Sequence, residues 1–258
     1  MMVGAAWAMV DGGPMVPLEE ASVPVTDPGF THGWTVFETL VARGGPPATF
    51  DEHMERLRHS CEATCIPMPP RDVLYAEVAD LADRVGGAVR VRITLTRGGH
   101  RVVQGAPLPT GRRHGPIRAV RGVHRDEPFL GGAVKHGSRA PWMVAVERSG
   151  KDEVLLVDEH DRFTEGTSCG ILAVLDGVLW TAPHDGRILP STTVNELLAR
   201  AARLGIEVRR EGPPAHAAWD ALYVATVTRD IAPVVELDGE PLPGWDRVGQ
   251  HLRGAEGA

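Results

Sequence analysis

The chain has 258 residues, a hydrophobic content of 43% and a formal net charge of −7. This composition supports one large domain or two small ones with substantial cores. No apolar run reaches about 18 residues, which disfavours a membrane span, and the N-terminal segment does not resemble a signal peptide, so we expect a soluble cytoplasmic protein. The arginines are scattered, which disfavours nucleic-acid binding.

The N-terminal half has the pattern of mixed strands and helices. Apolar and alternating runs predict strands at residues 6–10, 15–16, 35–41 and 89–96. A helix is predicted after an N-cap at Asp51, and a second helix is predicted from Pro70. Cys61 and Cys65 lie on one face of the first helix, and we interpret them as small apolar residues rather than as a metal or disulfide site.

A Gly-, Pro- and Arg-rich stretch at residues 105–115 predicts a linker between two domains. We place an N-terminal α/β domain at residues 1–108, the linker at 109–115, and at 116–258 a C-terminal domain that carries Lys135. Within the C-terminal domain, strands are predicted at 153–157, 170–175, 178–181, 206–209 and 222–225. An amphipathic helix is predicted over residues 193–204, and Gly205 ends it.

Lysine usage singles out one residue. Lys and Arg total 27, yet Lys135 and Lys151 are the only lysines. Lys can form an imine, whereas the guanidinium of Arg stays protonated. Lys151 lies in a Ser-Gly-Lys-Asp-Glu turn, while Lys135 follows the small, apolar segment 131–134. Desolvation in such a setting lowers the pKa of a lysine, so Lys135 is the candidate reactive amine.

Two further segments have the composition of a cofactor site. The hydroxyl run 191–193 opens the helix at 193–204, and a helix N-terminus with hydroxyls is either capped or binds an anion. Segment 226–228 offers more hydroxyls for the same anion. Glu165 stands among Gly and hydroxyl residues. It is either a turn residue or a carboxylate directed at the ring nitrogen of a cofactor.

Seven segments resemble the class IV aminotransferases, in the order in which that family has them. They are DPGFTHGWTVFETL at 27–40, HMERL at 53–57, LTRG at 95–98, VKH at 134–136, FTEGTS at 163–168, ILPSTT at 188–193 and IAPV at 231–234. This family includes D-amino-acid and branched-chain aminotransferases, some (R)-amine transaminases, and aminodeoxychorismate lyase. The resemblance implies a two-domain α/β (α+β type) fold-type IV enzyme, a homodimer with pyridoxal 5'-phosphate (PLP) in the interdomain cleft.

The resemblance also implies a role for each matching residue. Lys135 carries PLP as a Schiff base, and Glu165 pairs with the pyridine nitrogen. The phosphate is held by Arg56 and the helix start. The remaining cofactor-binding residues implied are Ser168, Thr192, Thr193, Thr226 and Thr228.

Some positions depart from the family pattern. The family often has Asn where this chain has Gly170. The only tyrosines, Tyr75 and Tyr223, lie far from Lys135 in the sequence, so the phenol that often faces the cofactor in branched-chain enzymes lacks a counterpart. Phe37 stands where D-amino-acid enzymes tend to have Tyr. These departures concern the substrate rather than the cofactor.

Two functions compete within the family, and a third lies outside it. The first is an aminotransferase for D-amino acids or (R)-amines with a 2-oxo acid acceptor, in which Phe37, His100 and Arg101 contact the substrate. The second is aminodeoxychorismate lyase, with Thr39 as a catalytic residue and Arg139 completing its lysine segment. The third, a cofactor-free scaffold, is disfavoured because Lys135 is retained among so few lysines. No metal site is expected.

Overall fold

The computed structural model describes residues 5–109, 114–126 and 129–254. The chain divides into two compact units. Unit 1 contains the residues up to Pro109 together with Ala133–Arg139, and unit 2 contains the remainder. Among the described helices, none is long and apolar enough to cross a membrane.

Unit 1 is a five-stranded antiparallel sheet with two long helices packed against it. Its elements are β1 (Trp7–Val10), β2 (Val16–Pro17), α1 (Pro28–His32), β3 (Thr35–Arg43), α2 (Phe50–Thr64), α3 (Arg71–Val85), β4 (Ala88–Thr96) and β5 (Arg101–Pro107). The strand order is β2-β1-β5-β4-β3. β3 is therefore an edge strand.

Alternation along β3 creates two chemically different sheet faces. Val36, Glu38 and Leu40 are fully buried and belong to the face that α2 covers. Successive strand side chains point to opposite faces, so Phe37 and Thr39 lie on the other face. On the covered face, apolar residues of β3, β4, α2 and α3 form a single core cluster.

Unit 2 contains a nine-stranded sheet and three helices. Its elements are β6 (Ile117–Val123), α4 (Ala140–Ser149), β7 (Glu153–Val157), β8 (Phe163–Gly166), β9 (Gly170–Leu175), β10 (Val178–Trp180), α5 (Thr192–Arg203), β11 (Val208–Arg209), β12 (Ala221–Thr226), β13 (Asp230–Leu237), β14 (Glu240–Pro241) and α6 (Arg247–Arg253). The order is β11-β10-β9-β12-β13-β6-β7-β8, with β14 on β13. Because β8 also pairs with β9, six strands form a closed circuit.

Two apolar clusters stabilise unit 2. One fills the strand circuit around Phe163, Ile171 and Leu222, and the other packs α5 and α6 against β9 and β12. The Tyr223 hydroxyl donates to the Asp246 carboxylate at 2.6 Å, and Asp246 caps α6 by accepting from Gly249 N–H at 2.7 Å. This hydrogen bond anchors the C-terminal helix.

Most predicted elements are confirmed, with shifts of one or two residues at their ends. The helix predicted after Asp51 begins at Phe50, and its N-cap is Thr49, so the proposed Asp51 cap is wrong. Residues 105–107, the start of the stretch that predicted a linker, belong together with residues 101–104 to strand β5. The glycine that suggested a loop, Gly105, packs tightly on α3, since a Cβ there would lie 2.6 Å from Leu81 Cδ2.

The Lys135 segment belongs to unit 1, although we expected it in the C-terminal domain. Its backbone pairs with the edge of β3: Phe37 N–H donates to Lys135 O at 3.0 Å, and Gly137 N–H donates to Thr35 O at 2.8 Å. An exposed strand edge offers unpaired backbone groups, which explains why a distant segment docks there. Within the predicted linker, residues 110–113 lie outside the described residues.

Candidate active site

Lys135 is held between an edge strand and a helix of unit 1. Its backbone N–H donates to the Ser60 hydroxyl on α2 at 3.0 Å. Its ammonium nitrogen lies 5.0 Å from the ring centroid of Phe37, within cation–π range. The backbone of Lys135 is therefore fixed on both sides, and its amine lies beside an aromatic ring.

A buried carboxylate, Glu38, organises the neighbouring charges. Arg56 on α2 makes a two-point contact with it, because Nε donates to Oε1 and Nη2 donates to Oε2, both at 2.7 Å. His53 Nδ1 also bonds to Oε2 at 2.8 Å. Glu38 and His53 are fully buried, so this triad lies in a region of low dielectric where charge pairing is strong.

The pKa of Glu38 reflects two opposing effects, burial of the carboxyl and its interactions with neighbouring cations and donors. Burial alone would raise the pKa of this carboxyl, but the charge of Arg56, hydrogen bonds from Arg56 and His53, and the charge of Lys135 lower it to about 2. Glu38 is therefore a permanent anion at neutral pH. It fixes the orientation of Arg56 and lies within electrostatic range of the Lys135 ammonium.

The face of the unit 1 sheet opposite its helices carries a second cation. Arg92 on β4 stacks on Phe37 with its guanidinium carbon 3.6 Å from the ring centroid, and its Nε donates to Thr94 at 3.2 Å. Thr39 is the direct cross-strand neighbour of Arg92. Burial, followed by the charges of Arg139 and Arg90, lowers the pKa of Arg92. Phe37, Thr39, Arg92 and Lys135 are thus brought together.

Arg101 and His100 are not part of this group. Arg101 forms a two-point ion pair with Glu77 on α3, with Nη2 2.8 Å from Oε1 and Nε 2.9 Å from Oε2. This pairing directs Arg101 toward the helices, away from the Phe37 face. His100 bonds to Asp11 at 2.8 Å, and that hydrogen bond raises the pKa of His100. The structure therefore gives both residues partners other than the one we expected.

Within unit 2, the other predicted site segments converge on Gly170. This glycine pairs with Glu165 on β8 and with Ala225 on β12. A Cβ at Gly170 would lie 3.4 Å from Ser191 Cβ and 2.5 Å from Val194 Cγ2, so the start of α5 lies directly above it. Lack of a side chain at Gly170 thus lets Glu165, the α5 N-terminus and the end of β12 approach one another.

The hydroxyl residues of unit 2 have specific positions. Ser191 caps α5 by accepting from Val194 N–H at 3.2 Å, and Thr192 and Thr193 are buried at the helix start. Thr226 ends β12, and its hydroxyl oxygen lies 3.3 Å from that of Thr228, two residues later. Ser168 donates to the buried carboxylate of Glu153 at 2.5 Å, which occupies its hydroxyl in a structural contact.

Comparison with known proteins identifies the family. Residues 35–237 match the family model for class IV amino-transferases. The chain belongs to this family. It is 30% identical over 249 residues to a Methanocaldococcus jannaschii protein provisionally named a branched-chain-amino-acid aminotransferase, covering 88% of this chain and 86% of the relative. It is 26% identical over 259 residues to a D-alanine aminotransferase of Listeria monocytogenes, with coverages of 87% and 86%.

The fold agrees with solved structures. A Mycobacterium tuberculosis aminotransferase of hypothetical function, in its PLP-bound form, superposes with a TM-score of 0.85 at 22% identity, covering 96% of each chain. The protein is therefore a PLP-dependent class IV aminotransferase with a mixed α/β fold.

The donors that each unit holds by itself are of the kinds that PLP needs. This cofactor needs an amine for its aldehyde, cations and N–H donors for its phosphate, and a carboxylate for its ring nitrogen. Unit 1 supplies the amine of Lys135 and the guanidinium of Arg56. Unit 2 supplies the Glu165 carboxylate and the α5 N-terminus with its buried threonines.

A cavity of about 310 Å³ in unit 2 lies beside Thr164, Arg187 and Arg210. It contains none of the predicted site residues. Thr164 precedes Glu165 on β8, so the two side chains point to opposite faces of the strand. The lining of the cavity includes both Phe163 and Thr164 of β8 but not Glu165.

Sequence reasoning missed Glu38, His53 and Arg92. An ionisable residue inside the apolar run 36–42 requires a buried partner, and this pattern pointed to Glu38. His53 and Arg56 are three residues apart, so they share a helix face. Arg92 follows the alternation of its strand, and only the pairing of β3 with β4 places it on Phe37.

We predict that the Glu38 carboxylate stabilises the fold in a pH-dependent way. Because its pKa is lowered from 4.5 to about 2, its stabilisation, roughly 3 kcal/mol, is complete above pH 4.5 and is lost progressively as pH falls toward 2. Glu38→Gln should lower the urea midpoint strongly at pH 7 and flatten the dependence between pH 5 and 3. Glu55→Gln, which removes an exposed partner of Arg58 on the same helix, is the matched control and should change little. Equal midpoints for both variants at pH 7 would contradict the prediction.

We also predict that Gly170 tolerates no side chain. Gly170→Ala should destabilise the protein by about 1–3 kcal/mol, measured as a lower thermal midpoint, because its methyl group would overlap Val194. Adding Val194→Ala removes the overlapping atom and should recover part of the loss. A Gly170→Ala protein as stable as the parent would show that α5 can shift freely.

Proposed function

We propose that this enzyme transfers an amino group from a D-amino acid, or less efficiently from an (R)-amine, to a 2-oxo acid. The observation that carries the proposal is the grouping of Lys135, Phe37 and Arg92 on one sheet face. It places a reactive amine beside a cation suited to a substrate carboxylate. PLP, when bound, supplies the aldehyde that condenses with amines and the ring that accepts electron density from the substrate.

Each residue of the site then has a role that its surroundings support. Lys135 Nζ binds the cofactor and moves the proton at the substrate Cα. Glu165 holds the proton on the pyridine nitrogen. Arg56, oriented by Glu38, and the N–H groups at the start of α5 bind the phosphate. Thr192 and Thr193 at that start, with Thr226 or Thr228, add hydroxyl donors.

We assign substrate carboxylate recognition to Arg92 in preference to Arg101. A carboxylate in a partly desolvated site needs a cationic partner. Arg101 already has such a partner in Glu77. Arg92 lies on the Phe37 face, and the charges that lower its pKa are those of other arginines, Arg139 and Arg90.

The preference for D-amino acids over branched-chain substrates rests on the tyrosines. Tyr75 lies on α3 against Phe50, and the Tyr223 hydroxyl is bonded to Asp246 in unit 2. The phenol that often faces the cofactor in branched-chain enzymes therefore has no counterpart here. The relatives do not decide between the two donors, because one is named a D-alanine aminotransferase and another a branched-chain-amino-acid aminotransferase.

A second candidate function is cleavage of aminodeoxychorismate. It is favoured by Thr39, which lies on the same sheet face as Phe37 with Arg92 directly across from it. The electrostatic effect of Arg139 on Arg92 adds a second cation near that threonine. The substrate of such a lyase carries two carboxylates, which would suit two arginines.

Homodimer formation and a cytoplasmic location rest on the family resemblance and on the sequence. They stay predictions, and sedimentation of the purified protein tests the first of them.

The substrate proposal is tested by one panel of assays on the PLP-loaded enzyme. D-alanine, L-leucine and (R)-1-phenylethylamine are each paired with 2-oxoglutarate while glutamate is measured, and aminodeoxychorismate is tested by release of 4-aminobenzoate. We expect D-alanine to be the best donor. Lys135→Ala should lower every activity by at least about three decades, and Lys151→Ala should leave them unchanged. Faster turnover of L-leucine would overturn the donor assignment, and release of 4-aminobenzoate without transamination would favour the lyase.

The arginine assignment predicts opposite outcomes for two variants. Arg92→Ala should lower kcat/KM for D-alanine by one to two decades, on the roughly 1.5–3 kcal/mol scale of a charged hydrogen bond, and should spare (R)-1-phenylethylamine, which has no carboxylate. Arg101→Ala should instead lower the urea midpoint, because it leaves Glu77 without its ion pair. If Arg101→Ala gave the substrate-selective loss, the original assignment of the carboxylate to Arg101 would be restored.

A further inference from the structure

Arg187 joins two separate segments of unit 2, at Asp126 and at Asp158–Glu159, to the loop on which it lies. It lies between β10 and α5, and its guanidinium donates to three carboxylates: Nε to Asp126 at 3.0 Å, Nη1 to Asp158 at 3.4 Å and Nη2 to Glu159 at 2.9 Å. Its backbone N–H donates to Asp185 at 3.0 Å. The family motif begins only after this residue, at Ile188, so the motif does not account for it.

The loop that Arg187 holds contacts Glu165 directly. Leu189 N–H donates to Glu165 Oε2 at 3.2 Å, and two residues later Ser191 caps α5. The same short segment therefore touches the carboxylate assigned to the cofactor ring and begins the helix assigned to the phosphate. A displacement of the loop would affect both.

The turn that contains Asp158, one of the partners of Arg187, is also connected to Glu165. Asp158 accepts the backbone N–H groups of His160 and Arg162, at 3.0 and 2.9 Å, and so shapes the turn between β7 and β8. Glu165 belongs to β8. Arg187 thus connects the turn that precedes Glu165 to the loop that donates a hydrogen bond to it.

Close backbone packing restricts where this loop can lie. Gly132 N–H donates to Gly186 O at 3.0 Å, and a Cβ at Gly132 would lie only 1.9 Å from Arg187 O. The Asp126 and Glu159 side chains are 64% and 61% exposed, and exposed ion pairs add little to global stability. The Asp158 side chain is only 9% exposed, but its contact with Arg187 is the longest of the three at 3.4 Å. The contacts of Arg187 are therefore suited to orienting the loop rather than to stabilising the fold.

We propose that Arg187 is a positioning residue that holds the Leu189 N–H against Glu165 and thereby fixes the carboxylate toward the cofactor ring. The proposal rests on the proposed role of Glu165, and it adds a residue outside the family motif to the machinery of the site. Arg187 itself touches neither cofactor nor substrate in this account.

The first test needs no cofactor. Hydrogen exchange of the PLP-free protein should show at least fivefold faster exchange in the peptide spanning residues 186–190 for Arg187→Ala. Arg118→Ala removes another exposed arginine of unit 2, paired with Asp152, and is the matched control. Unchanged exchange at 186–190 in Arg187→Ala would overturn the proposal.

The second test uses the loaded enzyme. Arg187→Ala should lower kcat by about five- to twentyfold with little change in KM, and should shift the pH titration of the visible absorption of bound PLP, while the urea midpoint matches that of Arg118→Ala. Arg187→Lys, which keeps one cationic contact, should recover part of the loss. A lower midpoint in proportion to the lost activity would mean a general structural role and would overturn the proposal.

A double variant of Arg187 and Glu165 distinguishes a failure of this inference from a failure of the proposed function. If Arg187 acts through Glu165, then Arg187→Ala combined with Glu165→Gln should be no slower than Glu165→Gln alone. Additive losses would overturn the positioning role and leave the function of Glu165 intact. If Glu165→Gln alone left both rate and absorption unchanged, the assigned role of Glu165 would fail, and the inference about Arg187 would fail with it.

Discussion

The charge of Glu38 is the constraint on which the arrangement of unit 1 depends. A fully buried carboxylate is tolerated only when its partners compensate for the lost hydration. Arg56 and His53 do so from one face of α2, which fixes that helix relative to β3. The adjacent turn of α2 provides Ser60, which holds the backbone of Lys135. One ion pair thus links the strand, the helix and the segment that carries the reactive amine.

In unit 2 the corresponding constraint is steric. Gly170 has room for hydrogen alone, because Val194 and Ser191 of α5 pack directly on its backbone. Strand pairing on both sides of this glycine then determines the distance from Glu165 to Ala225 and to the helix start. A larger residue, such as the Asn that the family often has, would require α5 to begin elsewhere. The elements of this unit to which we assign cofactor binding are therefore positioned by backbone contact more than by side-chain hydrogen bonds.

Sequence reasoning proposed which segments form the candidate site, and it gave Arg101 a different partner from the Glu77 that the structure shows. The sequence was sufficient to predict helix α5, because its apolar periodicity and its Ser191 N-cap are both local features. The direction of Arg101 depended on recognising β5, and Gly105 obscured that strand. Once β5 is known, alternation places Arg101 with Val103 on the helix-covered face. The membership of Lys135 in unit 1 was equally inaccessible, because it depends on pairing between residues about 100 positions apart.

Composition does not distinguish the two lysines, but their surroundings do. Rarity alone marks Lys135 and Lys151 equally. Lys151 forms an ion pair with Glu236 in unit 2, a contact that an arginine would also make, so its identity carries no chemical requirement. Lys135 lies instead beside an aromatic ring and within range of a permanent anion, with its backbone fixed by Ser60 and β3. A bulkier, always-protonated guanidinium there would keep the charge and lose the nucleophile. The proposal that Lys135 is the reactive amine therefore rests on the surroundings of residue 135 more than on the scarcity of lysine elsewhere.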